Sequence, residues 1–229
     1  MPSAELALER ITAELLDMGR LVESQVRTAL GLLTGPAPDA AELDRLIKSD
    51  KVVDQAENTI DLACNEALAI YTPVADDLRK VLTIMMVNGE LERMGDHAKN
   101  IARSAKKLYD GDGEPLPIID ELQRATDVVV DMVHRSLGSL VASDGSQAKQ
   151  VYESDSDIDQ ICKAINTQLM RLMQEQPVLV PRAVEGIRVV HNIERIGDLA
   201  ANVAKDVVFL ATGEVVRHDG RTEHIDIRH

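Results

Sequence analysis

The sequence predicts an all-α protein built as two tandem three-helix bundles, and three observations carry that prediction. Aromatic residues make up 2% of the 229 positions and Trp is absent. A core must therefore be assembled from Leu, Ile, Val, Met and Ala, the palette of long packed helices rather than of sheets. The eight prolines, at positions 2, 36, 38, 73, 115, 117, 177 and 181, all fall at the chain start or at junctions, as expected if long helices fill the intervals. Finally, ERMGDHAKNIA at 92–102 is echoed by ERIGDLAANVA at 194–204. Glu92, Arg93, Gly95, Asp96, Ala98, Asn100 and Ala102 recur as Glu194, Arg195, Gly197, Asp198, Ala200, Asn202 and Ala204. So long and well-kept a period marks two copies of one structural unit.

Six helices follow in order. The first is expected over 4–34, where Leu15, Met18, Val22, Val26, Ala29 and Leu33 step by three and four as an amphipathic stripe. The second is expected over 40–71, opened by a capping-box pattern of Asp39 and Glu42 after the GPAP turn. The third runs over 73–109, with Thr72 as cap and Pro73 at its first position. The Gly/Pro/acid-rich DGDGEPLP stretch then supplies a linker over 111–117, separating a first bundle, 1–110, from a second, 118–214. The fourth helix, 118–142, repeats the apolar stripe with Val129, Val133, Leu137 and Leu140. The fifth spans 146–175 and the sixth 179–211, with Gly213 as a C-terminal stop. No run alternates with period two, so no strand is expected. The tail, 215–229, is polar and without periodicity and reads as mobile.

The formal net charge is −14. A nucleic-acid reader would need a basic footprint, and an anionic membrane surface would repel this chain, so a cationic partner or metal ions fit better. No stretch approaches the ~18 consecutive apolar residues of a membrane span, and residues 1–20 lack the pattern of a signal peptide. The two cysteines, Cys64 and Cys162, occupy inequivalent places in the repeats and read as buried, reduced thiols of a cytoplasmic protein.

The repeated residues are charged or polar at i, i+4 and i+8, which a pure packing repeat would not favour. Residues four apart share one helix face, so Glu92 projects with Asp96, and Glu194 with Asp198. A second acidic pair precedes each: Asp50 with Asp54, and Asp155 with Asp159. Hairpin register decides whether the pairs meet. About the turn near 72–73, Asp54 is level with Glu92 and Asp50 with Asp96. About the turn near 176–177, Asp159 is level with Glu194 and Asp155 with Asp198. At 1.5 Å rise per residue the mismatch is within ~3 Å. Four carboxylates at one height repel unless positive charge is supplied, and an all-oxygen set suits Mg²⁺, Ca²⁺, Mn²⁺ or iron. Glu57, Asn100 and Asn202 are placed to extend these sites.

The alternative is a solvated acidic face with Arg93 and Arg195 as local counter-charges. Gly95 and Gly197 weigh against it, because a mid-helix Gly costs about 1 kcal/mol relative to Ala and implies that a helix or a ligand approaches closely. His97 is matched by Leu199 and reads as a surface residue. The Glu-x-x-His motif of ferritin-like di-iron proteins is missing from the repeated region, as are a Gly-rich phosphate loop and any nucleophile motif. Two rival readings stand beside a metal-binding adaptor. One is a carboxylate-bridged metalloenzyme acting on phosphate esters; the other is an acidic helical scaffold for a basic partner.

With both motifs in hand, the chain resembles the PhoU family over about residues 5–214. The resemblance rests on MGRLVESQV, the Asp50/Asp54 pair, PVADDLRKVL, the two ER-[MI]-GD-xAxN segments and FLATGEVVRHD. It implies two pseudo-symmetric, spectrin-repeat-like three-helix bundles, with metal clusters held by Glu92, Asp96, Glu194, Asp198, Asp50, Asp54, Asp155 and Asp159. It also implies a cytoplasmic, non-enzymatic, commonly dimeric regulator. Such a protein joins the ATPase subunit of the phosphate ABC transporter to a membrane sensor histidine kinase and holds the starvation response off when phosphate is plentiful. The repeats are not identical: Glu57 aligns with Cys162, and Arg79 has no basic counterpart in the sixth helix.

Overall fold

The computed structural model describes residues 3–34, 40–108, 116, 118–216 and 222–224. The chain is almost entirely helical. Helices α1 (Ala4–Thr34), α2 (Ala40–Tyr71) and α3 (Ala75–Leu108) pack on one another. Helices α4 (Ile119–Ala142), α5 (Gly145–Glu153), α6 (Asp155–Glu175) and α7 (Val180–Thr212) form the second group, a 3₁₀ turn at Pro177–Leu179 leading into α7. The apolar stripes of α1 and α4 point inward, and every stripe residue named above is buried. The groups meet along α3 and α7, with α1 against α4. Ser104 of α3 contacts Glu185 of α7, and His97 contacts Asn192, so positions rise on α3 as they fall on α7. The two repeated helices therefore run antiparallel.

Four local features depart from the sequence reading. The fifth helix is broken at Ser154, with α5 before it and α6 after. Ser154 Oγ donates to the Val151 carbonyl at 2.6 Å, and the Ser154 amide does the same at 3.1 Å. In the Ser-Asp-Ser-Asp run, side chains compete with the helix for backbone partners. The break leaves Asp155 and Asp157 in the first turn of α6, where carboxylates are favoured by the helix dipole.

The third helix begins at Ala75 rather than Pro73. Thr72 and Ala75 adopt φ of 46° and 49°, left-handed conformations that end α2 and re-aim the chain before α3.

His97 is not a surface residue. It is half-buried in the seam between α3 and α7, where its Nδ1 pairs with Asn192 Oδ1.

The tail carries a short antiparallel hairpin, β1 (Glu214–Val216) with β2 (Thr222–His224), Val215 opposite Glu223. Val216 packs on the core, which anchors the first strand.

Gly213 stops α7 as expected: φ is 76°, and its amide donates to the Phe209 carbonyl at 2.8 Å. The Asp39 cap, the GPAP turn and the 111–115 part of the linker lie outside the described residues.

Candidate functional site

The site is built by two glycines. A Cβ on Gly95 would stand 3.2 Å from Gln25 Oε1 and 3.4 Å from Val53 Cγ1. On Gly197 it would stand 3.0 Å from Ile158 Cγ2. Val53 lies between Asp50 and Asp54, and Ile158 between Asp155 and Asp159; both apolar side chains are fully buried. Each glycine thus lets the residue between an acidic pair sink against the opposite helix, which draws the flanking carboxylates toward Glu92/Asp96 or Glu194/Asp198. A helix, not a ligand, makes the close approach.

The acids consequently feel one another. Burial raises the Glu92 carboxyl above the ordinary range, and the charges of Asp96, Glu57, Asp54 and Asp50 push it further. Glu57 is raised by burial and then by Asp61, Asp54 and Asp96. In the second repeat burial raises Asp155, joined by the charges of Asp198, Asp159 and Glu194, with Lys205 opposing. All eight predicted acids fall into these two groups, four to each repeat. Among the described residues no three His, Cys, Asp or Glu side chains yet converge into a chelating set. Asn100 and Asn202 do not extend the groups: Asn100 accepts from Arg103, and Asn202 bonds to Glu90 in the seam.

The clusters differ in how positive charge reaches them. In the first, Lys99 Nζ donates to Asp50 Oδ2 at 2.6 Å and also to Asp96 Oδ1. Asp50 is only 6% exposed, and burial works against charging Lys99, but the two carboxylates raise its pKa nonetheless. Arg93 lies elsewhere, on Glu90 at 2.6 Å and the Gly89 carbonyl. In the second cluster the position of Lys99 is held by Ala201. Arg195 reaches Asp198 Oδ2 at 3.0 Å from an exposed position. Asp155 Oδ1 is shut off from solvent and has no hydrogen-bond partner among the described residues. An orphaned buried carboxylate oxygen among three other acids fits a cation; a pair of carboxylates already clasping an ammonium does not.

Cys162 takes the place of Glu57 beside the second cluster. Burial, with the charges of Glu194, Asp159 and Asp198, pushes its thiol up to about 12, so it remains protonated. An open apolar groove of about 570 Å³ between α1 and α2, lined by Leu6, Ile11, Ala67, Ile70 and Tyr71, contains none of the eight acids.

Sequence reasoning missed two acids of the seam. Asp206 is pushed up to about 7, first by burial and then by Glu90, with Lys205 and Arg93 opposing. Glu90 is raised by burial, and its Oε2 has no hydrogen-bond partner among the described residues. Neither belongs to the repeated motif, so nothing in the period pointed to them.

A family profile described as "PhoU domain" matches residues 15–105 and again 122–207. The chain belongs to the PhoU family. It is 33% identical over 217 residues to the phosphate-specific transport system accessory protein PhoU of Escherichia coli K12, covering 94% of this chain and 88% of that protein. The crystal structure of PhoU from Pseudomonas aeruginosa superposes with a TM-score of 0.88 at 32% identity, covering 92% of this chain and all of that one. The Streptococcus pneumoniae phosphate transport system regulatory protein PhoU gives 0.83 at 28% identity, over 94% of this chain and all of its own. Among the described residues no helix is long and apolar enough to cross a membrane.

Proposed function

We propose that this protein is a cytoplasmic, non-enzymatic regulator of phosphate uptake. It couples the ATPase subunit of a phosphate ABC transporter to a sensor histidine kinase and represses the starvation response when phosphate is plentiful. Its second acidic cluster takes a hard divalent or iron cation. The observation that carries this reading is the doubled Glu-x-x-x-Asp motif, each copy packed through a glycine against a second acidic pair, in a chain whose relatives are named accessory proteins of phosphate transport. When bound, the cation would neutralise carboxylates that otherwise repel. Glu194, Asp198, Asp155 and Asp159 would hold it, by rotation of side chains already within one another's fields. Its partners would include a second copy of the chain.

A test is to delete the gene in its host and assay alkaline phosphatase in phosphate-rich medium. High activity despite ample phosphate is the expected result. Activity that stays low in rich medium and rises normally on starvation would oppose it.

A further inference from the structure

The repeat predicts two cation sites, of which the second, with Cys162 in place of Glu57, is expected to bind differently or less fully; the side chains reverse that order. We infer that Lys99 is a tethered counter-ion that fills the first acidic cluster, so that divalent cation binding is confined to the second; this rests on the cation-binding reading above.

The ammonium of Lys99 spans Asp50 on α2 and Asp96 on α3, using one oxygen of each. These are the acids that face each other across the hairpin, so the ammonium occupies the gap where an ion would bridge the helices. A second positive charge within a few ångströms would be repelled, most strongly where water is scarce. Asp50 is buried, and the Lys99 side chain is only 16% exposed. The lysine is also covalently attached to α3, so an external ion must compete with a permanently present rival. The helix-related position in the second repeat carries Ala201, which offers no charge. Of the cations near the second cluster, Arg195 bonds Asp198 from solvent, with 53% of its side chain exposed, and is easily displaced, while Lys205 acts on Asp155 through its charge. The facing acid, Asp155, opens α6 instead of lying in mid-helix, and its inner oxygen has no hydrogen-bond partner among the described residues. One cluster is thus closed by the protein's own cation and the other is open.

The test uses Mn²⁺ alone with the full chain, measured by equilibrium dialysis on the wild type and on variants of each cluster. The wild-type chain should bind Mn²⁺ at the second cluster alone. Binding should be lost in a Glu194→Gln, Asp198→Asn variant and kept in Glu92→Gln. Lys99→Ala and Lys99→Gln should each bind additional Mn²⁺ that Glu92→Gln removes, whereas Lys99→Arg should not; helicity by circular dichroism checks that each variant folds. Loss of Mn²⁺ in Glu92→Gln with Lys99 in place would overturn the inference while leaving cation binding intact. A wild-type chain that binds no Mn²⁺ would instead overturn the cation reading. The Lys99 variants then decide: Mn²⁺ gained and removed again by Glu92→Gln upholds the tethered counter-ion, and none gained overturns it.

Discussion

Ile158 Cγ2 lies 3.0 Å from where a Cβ of Gly197 would stand, closer than the 3.4 Å between Val53 and the corresponding point on Gly95. The second hairpin is therefore the tighter of the two at the level of its acids. Mid-helix Gly→Ala ordinarily stabilises by about 0.5–1 kcal/mol. Gly89 on α3, with nothing within 4 Å of an added methyl, should follow that rule. Gly197→Ala should instead cost about 1–3 kcal/mol through overpacking, with Gly95→Ala in between. Chemical denaturation of the three variants checks the order; a stabilised Gly197→Ala would contradict the packing argument.

The seam acid Asp206 gives the fold a pH dependence of definite sign. Its carboxyl titrates near 7 in the folded chain, against about 3.9 when unfolded. The folded state thus holds a proton that the unfolded state has lost. Its contribution is fully present below about pH 4 and disappears as pH rises through 7. Asp206→Asn should flatten this part of the stability profile and gain up to about 4 kcal/mol at pH 8, at about 1.4 kcal/mol per pH unit between about 3.9 and 7. Thermal melts between pH 5 and 8 measure it, and parallel profiles for the two chains would refute it.

Across the same seam, His97 Nδ1 carries a proton toward Asn192 Oδ1 at 2.8 Å, while Asn192 Nδ2 donates to the Arg188 carbonyl. His97→Ala and Asn192→Ala should each lose about 0.5–1.5 kcal/mol. In a double-mutant cycle the losses should be less than additive. Strict additivity would mean that the pair does not hold the repeats together.

Both thiols should be inert in the folded chain. Burial pushes Cys64 up to about 11 and Cys162 up to about 12, so neither offers thiolate at pH 8. A thiol reagent should modify them only after denaturant is added. Rapid labelling of the native protein would show that one is exposed.

Much of this arrangement was legible in the sequence. Proline spacing located the helices, and counting residues from each hairpin turn placed Asp50 and Asp54 beside Glu92 and Asp96, because helical rise is regular. What escaped was decided by groups that break a pattern. Ser154 ends α5 through its own hydroxyl, which helical periodicity does not register. The His97–Asn192 bond joins residues that are not repeat partners, so no period marks it. Lys99 was overlooked for a related reason: comparing the copies displays what they share, and Lys99 against Ala201 is where they differ.

Cation binding should appear as stability. At about 100 times its dissociation constant, Mn²⁺ should add about 2.7 kcal/mol to the wild-type chain. Asp198→Ala combined with Glu194→Ala should abolish the increment. A melting temperature indifferent to Mn²⁺ would argue that the acids are only a charged face.

The most direct measurement is complementation of the gene deletion, reading alkaline phosphatase in phosphate-rich medium. The wild-type chain should restore repression, and a folded Glu194→Ala, Asp198→Ala variant should leave activity high. Full repression by that variant would show that the doubled carboxylate motif is not the working part of this regulator.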